Sequence, residues 1–371
     1  MSKLILFFSF CLVFFSSAIV EGQAVKASFD PADWDVNAQK HEFTTFKGKK
    51  CLYLENGAAR LKNADFRTGI IDFDMAFDQG RKFLSVHFRI QDDQNYEEFY
   101  VRPHQSGNPD AMQYTPVFNG LAGWQLYHGQ GYSNAYHYNF GEWMHVRLVV
   151  TEEQMEVFIN DMSQPILYAH DLKMAAKAGT VGFGAFMGGA YYANLTYQEV
   201  DRPTLVSDLT PLPETEPGTI QNWEVSQVLE TSQFTNLHHL DQLPTKNSLQ
   251  WKSLKPEYSG TLNLAKVAQL TEENRTVLVK TTIMSDQDQI KKLWFGYSDE
   301  AQVYVNGQII YGGQKKFTSR DYRYLGTIGY FDAVYLDLKK GSNEIIFAIS
   351  ENFGGWGLKA KLEDVDGLKI Q

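Results

Sequence analysis

The chain has 371 residues, 43% of them hydrophobic, 14% aromatic and 21% charged, and its 44 acidic residues outnumber 34 basic ones for a net charge of −10. That composition excludes a disordered chain, which carries too few apolar and aromatic residues to form a core. The acidic balance argues against nucleic acid as a partner, since such binding needs a basic surface, and against electrostatic docking on anionic membranes.

The start of the chain reads as an address. Lys3 is followed by an apolar run from Leu4 to Phe15, interrupted by Ser9 and Cys11, and then by the small residues Ser16, Ser17 and Ala18 and a Gly22-Gln23-Ala24 exit. A basic tip, a short apolar stretch and a small-residue exit make a secretory signal peptide over residues 1–24. The run is shorter than the roughly 20 residues needed to span a bilayer. The expected product is secreted, extracellular or periplasmic, with no integral membrane segment after cleavage. Cleavage removes Cys11 and leaves Cys51 alone, so no intramolecular disulfide can form. The apolar run Cys51-Leu52-Tyr53-Leu54 predicts that this thiol is buried and inert.

Period-two patterns dominate the rest. Ile71, Phe73, Met75 and Phe77 alternate with Asp72 and Asp74. Leu84, Val86, Phe88 and Ile90 alternate with Ser85, His87 and Arg89, and Met144, Val146, Leu148 and Val150 with His145 and Arg147. Such alternation marks strands with one face in a core. Turn signals at Asp78-Gln79-Gly80, Asp92-Asp93, Asn119-Gly120 and Asn160-Asp161 separate them. Only Leu172–Lys177 has a helical pattern. Pro203, Pro211, Pro213, Pro217 and Gly218 crowd residues 201–221, which reads as a linker extended by its prolines. Strands resume at Val277–Thr281, Gln302–Val305, Val334–Leu338 and Glu344–Ile349. The expected fold class is all-β, with two β-sandwich or jelly-roll domains at 25–200 and 222–371 joined by the Pro-rich linker.

In the first half, the order Trp143 to Val150, Met155 to Asp161, Gly179 to Gly184 and Ala193 to Val200 resembles the concanavalin A-like lectin/glucanase superfamily, especially its laminin-G-like members. Phe88-Arg89, Tyr100-Val101-Arg102 and Trp124 also make it similar to the 3-keto-disaccharide hydrolase group. In the second half, Ala301 to Gln308, Leu336 to Ile345 and Gly354-Gly355-Trp356-Gly357 resemble the galactose-binding-like jelly rolls attached to β-galactosidases and related glycosidases. Residues 222–284 match neither. The resemblances imply carbohydrate handling outside the cytoplasm, although each fold carries many functions.

On the stretch Tyr96–His104, the odd positions Glu97, Phe99 and Val101 take one face, and Tyr96, Glu98, Tyr100, Arg102 and His104 take the other. His87 and Arg89 point away from the apolar set of their own strand. If the two strands pair, His87, Arg89, Glu98, Tyr100 and Arg102 share one sheet face, and in concanavalin A-like folds the concave face commonly holds sugar. Arginine and carboxylate groups hydrogen-bond sugar hydroxyls, and rings stack on apolar sugar faces. The plain alternative is a solvated face with local ion pairs. A loop from Pro103 to Gly123 follows and contains Gln113 and Tyr114, with Trp124, Tyr127 and His128 after it. These residues make either a rim over the face or packing at the sandwich edge.

The paired carboxylates of a glycosidase are not evident. Asp72 and Asp74 read as outward-facing strand residues. Glu98 with His87 or His104 is a candidate pair for general acid–base work, although nothing in the spacing demands it. The polar turn of Asp92, Asp93 and Asn95 has oxygen ligands of the kind calcium takes, although it reads first as a plain acidic turn. Trp294, Tyr311, Tyr322, Tyr330, Trp356 and Arg320 form a second aromatic set, more readily read as core filling than as a second sugar platform. Three functions follow: a carbohydrate-binding protein using the concave face for an oligo- or polysaccharide, a 3-keto-disaccharide hydrolase-like glycoside hydrolase, or a structural or adhesive module that binds a protein partner.

Overall fold

The alternating stretches form strands with their apolar members inward: Ile71, Phe73, Met75, Leu84, Val86, Phe88, Met144, Val146 and Leu148 are all buried. The computed structural model describes residues 22–207, 211–316 and 320–370, so most of the expected signal peptide lies outside the described residues. The protein is all-β, and its described helices are short 3-10 turns. Among the described residues, no helix is long and apolar enough to cross a membrane.

Strands between Val25 and Glu199 form one 13-stranded antiparallel sheet that curls over itself. Three long strands, Trp34–Phe46, Lys49–Leu61 and Thr180–Glu199, carry it round the corner. Residues 180–186 of the last strand pair with Phe83–Ile90, and residues 191–199 pair with Gly69–Ala76. The bend sits at a register shift between Ala185 and Gly189, where Met187 and Gly188 have φ of 59° and 146°. Asn56 locks it by accepting a hydrogen bond from the Gly188 amide at 3.0 Å and donating one to Gln39 at 2.7 Å. The bulge thus turns one strand into two layers. Trp34, Phe73, Phe183 and Tyr192 stack between them, with ring centroids 4.3–5.8 Å apart. Cys51 is buried as expected, with burial raising its thiol pKa, and it is a free cysteine.

Two local expectations fail. Leu172–Lys177 is irregular chain, not helix. Its backbone amides are taken by side chains of neighbouring strands: Lys173 donates to the Tyr114 hydroxyl at 2.8 Å and Met174 to Glu97 at 3.4 Å. The expected loop from Pro103 to Gly123 is interrupted by the strand Met112–Phe118, which pairs in register with Tyr96–Val101. Its glutamine, threonine and proline hide the alternation.

The second half builds two facing sheets. One runs in the order Trp251–Leu254, Trp223–Ser226, Asn274–Ser285, Gly341–Ser350, Glu300–Val305 and Gln308–Gln314. The other runs Thr261–Asn263, Gly357–Leu362, Gln289–Tyr297 and Asp332–Leu338. Phe295, Phe347, Trp356 and Trp223 fill the space between. Asn306 and Gly307 turn the expected hairpin with φ of 50° and 86°, the left-handed conformation that Asn-Gly tolerates. Residues 229–243, unplaced by sequence, cover the outside of the larger sheet with Leu229, Phe234, Leu237 and Leu240 against Leu278, Tyr304 and Ile346.

The two halves meet through a buried charge cluster. The Lys173 ammonium, with its side chain 3% exposed, lies 2.7 Å from Glu257 and also pairs with Asp171. Tyr127, Tyr132 and Tyr258 surround it at 5.0–5.3 Å. Glu257 also accepts from Lys266 and from the Tyr127 hydroxyl, each at 2.7 Å. Burial would raise the Glu257 pKa, but Lys173 and Lys266 hold it below its usual value. Replacing Lys173 by Met strands part of that buried charge, so urea unfolding should show a loss of about 3 kcal/mol.

A second charge cluster lies on the outer face of the strand pair Gly69–Ala76 and Met144–Val150. Asp72 and Asp74 do project outward, but they are tied up: Arg147 donates to Asp72 at 2.8 Å, and His145 Nδ1 lies 2.8 Å from Asp74. Bonds to Asp72 and Asp74 raise the His145 pKa to about 9. Burial would raise Asp74, but bonds from His145, Lys49 and Asn194 hold it at about 2. A raised histidine stabilises fully below its unfolded value of 6.5 and stops contributing as pH rises through about 9. The depressed Asp74 contributes above 3.8 and loses its effect as pH falls toward about 2. Thermal melts across pH should therefore show a decline in alkali that His145→Gln flattens.

Candidate binding groove

The outer face of the sheet formed by Trp34–Leu61, Thr180–Phe186, Phe83–Ile90 and Tyr96–Val101 is the floor of a groove of about 810 Å³. Strand register sets its contents in rows. Arg60, Gly182, His87 and Glu98 lie opposite one another in one row. Ala58, Gly184, Ser85, Tyr100 and Gln113 make the next. Phe186 faces Phe83 in a third.

His87 is the centre of the first row. Its Nε2 lies 2.7 Å from the Ser85 hydroxyl and 3.3 Å from the Glu98 carboxylate, and its ring stacks on Tyr96 at 4.4 Å. Its Nδ1 is buried without a hydrogen bond. Gly184 makes the room, because a Cβ there would lie 2.5 Å from both His87 Nε2 and Ser85 Oγ. Beyond this row the groove is polar and exposed: Arg60 pairs with Asp93, whose side chain is 84% exposed.

Arg102 organises the second row rather than offering itself to a ligand. It donates to the Asp110 carboxylate at 2.7 Å, to the Tyr100 hydroxyl and to Gln113. Tyr100 donates to Gln113 at 2.6 Å. Burial raises the Asp110 pKa to about 6 despite the opposing Arg102 charge. The third row is aromatic. Phe83 meets His104 edge-on at 5.3 Å and Phe186 at 5.9 Å. Burial, with the nearby Arg102 and Arg81 charges, lowers the His104 pKa.

One wall comes from the second half of the chain. Phe353 and Leu325 line the groove, and Phe353 contacts both Trp124 and Phe186. Its loop is fixed in place. Asp299 accepts from the backbone amides of Asn352 and Phe353 at 2.7 and 3.2 Å. The Gln125 backbone N–H donates to the Gly354 carbonyl at 2.9 Å. Gly354, at φ 119°, lies so close to Trp124 that a Cβ would meet the indole at 2.4 Å.

The structure thus brings His87, Glu98, Tyr100, Arg102, His104 and Trp124 to one groove. Arg89 is not among them. Between His87 and Ile90 two residues, Phe88 and Arg89, face the single Val181 of the facing strand, and Arg89 adopts φ of 50° in this bulge. Its side chain turns inward to Glu97 at 2.9 Å and to the backbone of Thr151. Tyr114 also lies inside, donating to Glu97 at 2.7 Å, because it pairs with the inward-facing Phe99. Gln113 is fully buried beneath the Trp124–Tyr127 turn, where its amide donates to the Trp124 carbonyl at 2.9 Å. Tyr127 serves the Glu257 cluster, and His128 packs on Tyr324 at 5.3 Å.

His104 stands in the aromatic row and Glu98 beside His87, so the acid–base contact of this face is Glu98 with His87. The calcium candidates are engaged locally: Asp92 accepts from the Gln94 amide and Asn95, Asn95 accepts from the Asn119 amide, and Asp93 pairs with Arg60. Among the described residues, no group of three His, Cys, Asp or Glu side chains is placed to hold a metal ion. In the second half, Trp356 is core while Tyr322 is 96% exposed. Tyr311 bonds Tyr297, Arg320 pairs with Asp332, Trp294 donates to Glu363, and Tyr330 packs against Lys359 and Lys361, so the set makes no single platform.

No protein-family model matches the chain, and no curated protein does. Solved structures align with about half of it. A carbohydrate binding module, CBM66 from Bacillus subtilis, is 15% identical over 44% of this chain and 93% of its own, with a TM-score of 0.35. A Bacillus subtilis protein of unknown function with a galectin-like fold is 13% identical over 50% of this chain and 100% of its own, with a TM-score of 0.37. The Bacillus licheniformis β-glucanase is 11% identical over 47% and 98%, with a TM-score of 0.34.

Gly184→Ala tests the crowding around His87. The added methyl should displace the imidazole from Ser85 and Glu98 at a cost of about 1–3 kcal/mol. Histidine ring NMR resonances and a thermal melt would register both effects.

Proposed function

We propose that this is an exported carbohydrate-binding protein whose groove takes an oligo- or polysaccharide. One observation carries the reading: polar hydrogen-bonding groups and aromatic rings share a single concave face on rigid strands. His87, Glu98 and Ser85 lie in the middle, Arg60, Asp93 and Asn37 on the polar side, and Phe83, Phe186, Phe353 and Trp124 on the apolar side. Sugars need both kinds of contact, donors and acceptors for hydroxyls and rings for their apolar C–H faces. Export follows from the pattern of residues 1–24.

The reading predicts a rise in melting temperature with a sugar from a panel of mono-, di- and polysaccharides. A sugar present at about 100 times its Kd adds about 2.7 kcal/mol to the stability of the native state. Trp124→Ala and His87→Ala should remove the shift while the unliganded protein still melts cooperatively. No shift with any sugar, from folded protein, would overturn the reading.

A second reading, a glycoside-processing hydrolase, is favoured by the His87–Glu98 contact at 3.3 Å beside the Ser85 hydroxyl. A carboxylate sharing a histidine can move a proton in general acid–base catalysis. In that case Glu98→Gln would abolish turnover of a bound sugar and leave its thermal shift largely intact. Unchanged turnover would remove Glu98 from any catalytic role.

A further inference from the structure

Resting on the carbohydrate reading, we infer that the groove is closed at one end by Phe353 of the second half of the chain, and that it therefore takes the end of a glycan chain rather than a stretch of its middle.

Five rings form a continuous row across the groove. His104 touches Phe83 at 5.3 Å, Phe83 touches Phe186 at 5.9 Å, Phe186 touches Phe353 at 6.4 Å, and Phe353 touches Trp124 at 6.0 Å. Phe83 and Phe186 form the last pair between their two strands. Trp124 belongs to the turn beyond the opposite edge. Phe353 bridges from one side to the other, so the row bars the groove where the strand pairing stops. A polymer running through would have to pass it.

The bar is rigid. Asp299 holds the Phe353 amide, Gly354 sits against the Trp124 ring, and Phe186 stands on the bulge that Asn56 pins. Yet Phe186 is 51% and Phe353 48% exposed, an unusual expenditure of apolar surface on so fixed a frame. Rings held in place and left open to solvent suit stacking against the apolar face of a terminal sugar. The opposite end carries no such row. Arg60, Asp93 and Tyr96 stand there, with the Asp93 side chain 84% exposed, so the chain leaves through the polar end.

Calorimetric titration of the full-length mature protein tests this. The probes are glucan, xylan and galactan oligosaccharides from disaccharide to hexasaccharide, with the parent polymers. The expected result is one protein bound per polymer chain, with affinity per chain levelling off within the short oligosaccharides. Phe353→Ala should weaken oligosaccharide binding by about tenfold, and Phe353→Tyr, which keeps the ring, should restore it. A circular dichroism melt of each variant establishes that the half-exposed position tolerates the change. Many proteins bound along each polymer chain would overturn the inference while leaving the carbohydrate reading intact. So would unchanged affinity in folded Phe353→Ala. Failure of every probe to bind would overturn the carbohydrate reading and this inference together.

Discussion

Burial of the Lys173–Glu257 pair is the constraint on which the rest of the molecule depends. The two charges come from opposite halves of the chain and leave water together, and an uncompensated charge in that place costs several kcal/mol. Tyr127 links the cluster to the turn that carries Trp124, and that turn meets the Phe353–Gly355 loop. The halves therefore dock in one register, and the aromatic side of the groove exists only in that register. Neither half alone presents the full row of rings.

Inside the first half, the groove depends on how a curled sheet handles its corner. The bulge near Met187 and the Asn56 clasp let one strand serve both layers, and they leave Phe186 standing at the end of the floor. Along the floor, small residues alternate with functional ones. Gly182, Gly184 and Ala58 lie low enough for His87, Glu98 and Tyr100 to share space above the backbone. Arg102 then contributes through second contacts, fixing Tyr100, Gln113 and Asp110 with its guanidinium.

Most strands were legible because burial on one face imposes a period of two, and Ile71, Val86 and Val146 follow it without exception. The same rule placed His87, Glu98 and Tyr100 on one face. It failed at Arg89 because a bulge changes parity without leaving a mark in hydrophobicity. It missed Met112–Phe118, where glutamine, threonine and proline interrupt the alternation. Leu172–Lys177 had a helical pattern, but side chains from other strands captured its amides. Arg60, Asn37 and Phe186 were hidden in strands whose pairing could not be read locally. Phe353 and Leu325 were invisible for a simpler reason: nothing in their own neighbourhood says which distant surface they will touch.

That distance has a consequence for how the protein comes into being. The groove draws on Asn37 near one end of the chain and Phe353 near the other. Contacts so far apart in sequence form late, after the loop-closure entropy between them has been met. During synthesis the sheet floor can assemble while the far wall has yet to emerge, so a complete groove marks completed assembly. A chain cut short before residue 353 would hold a pleated floor without the Phe353 side of the groove.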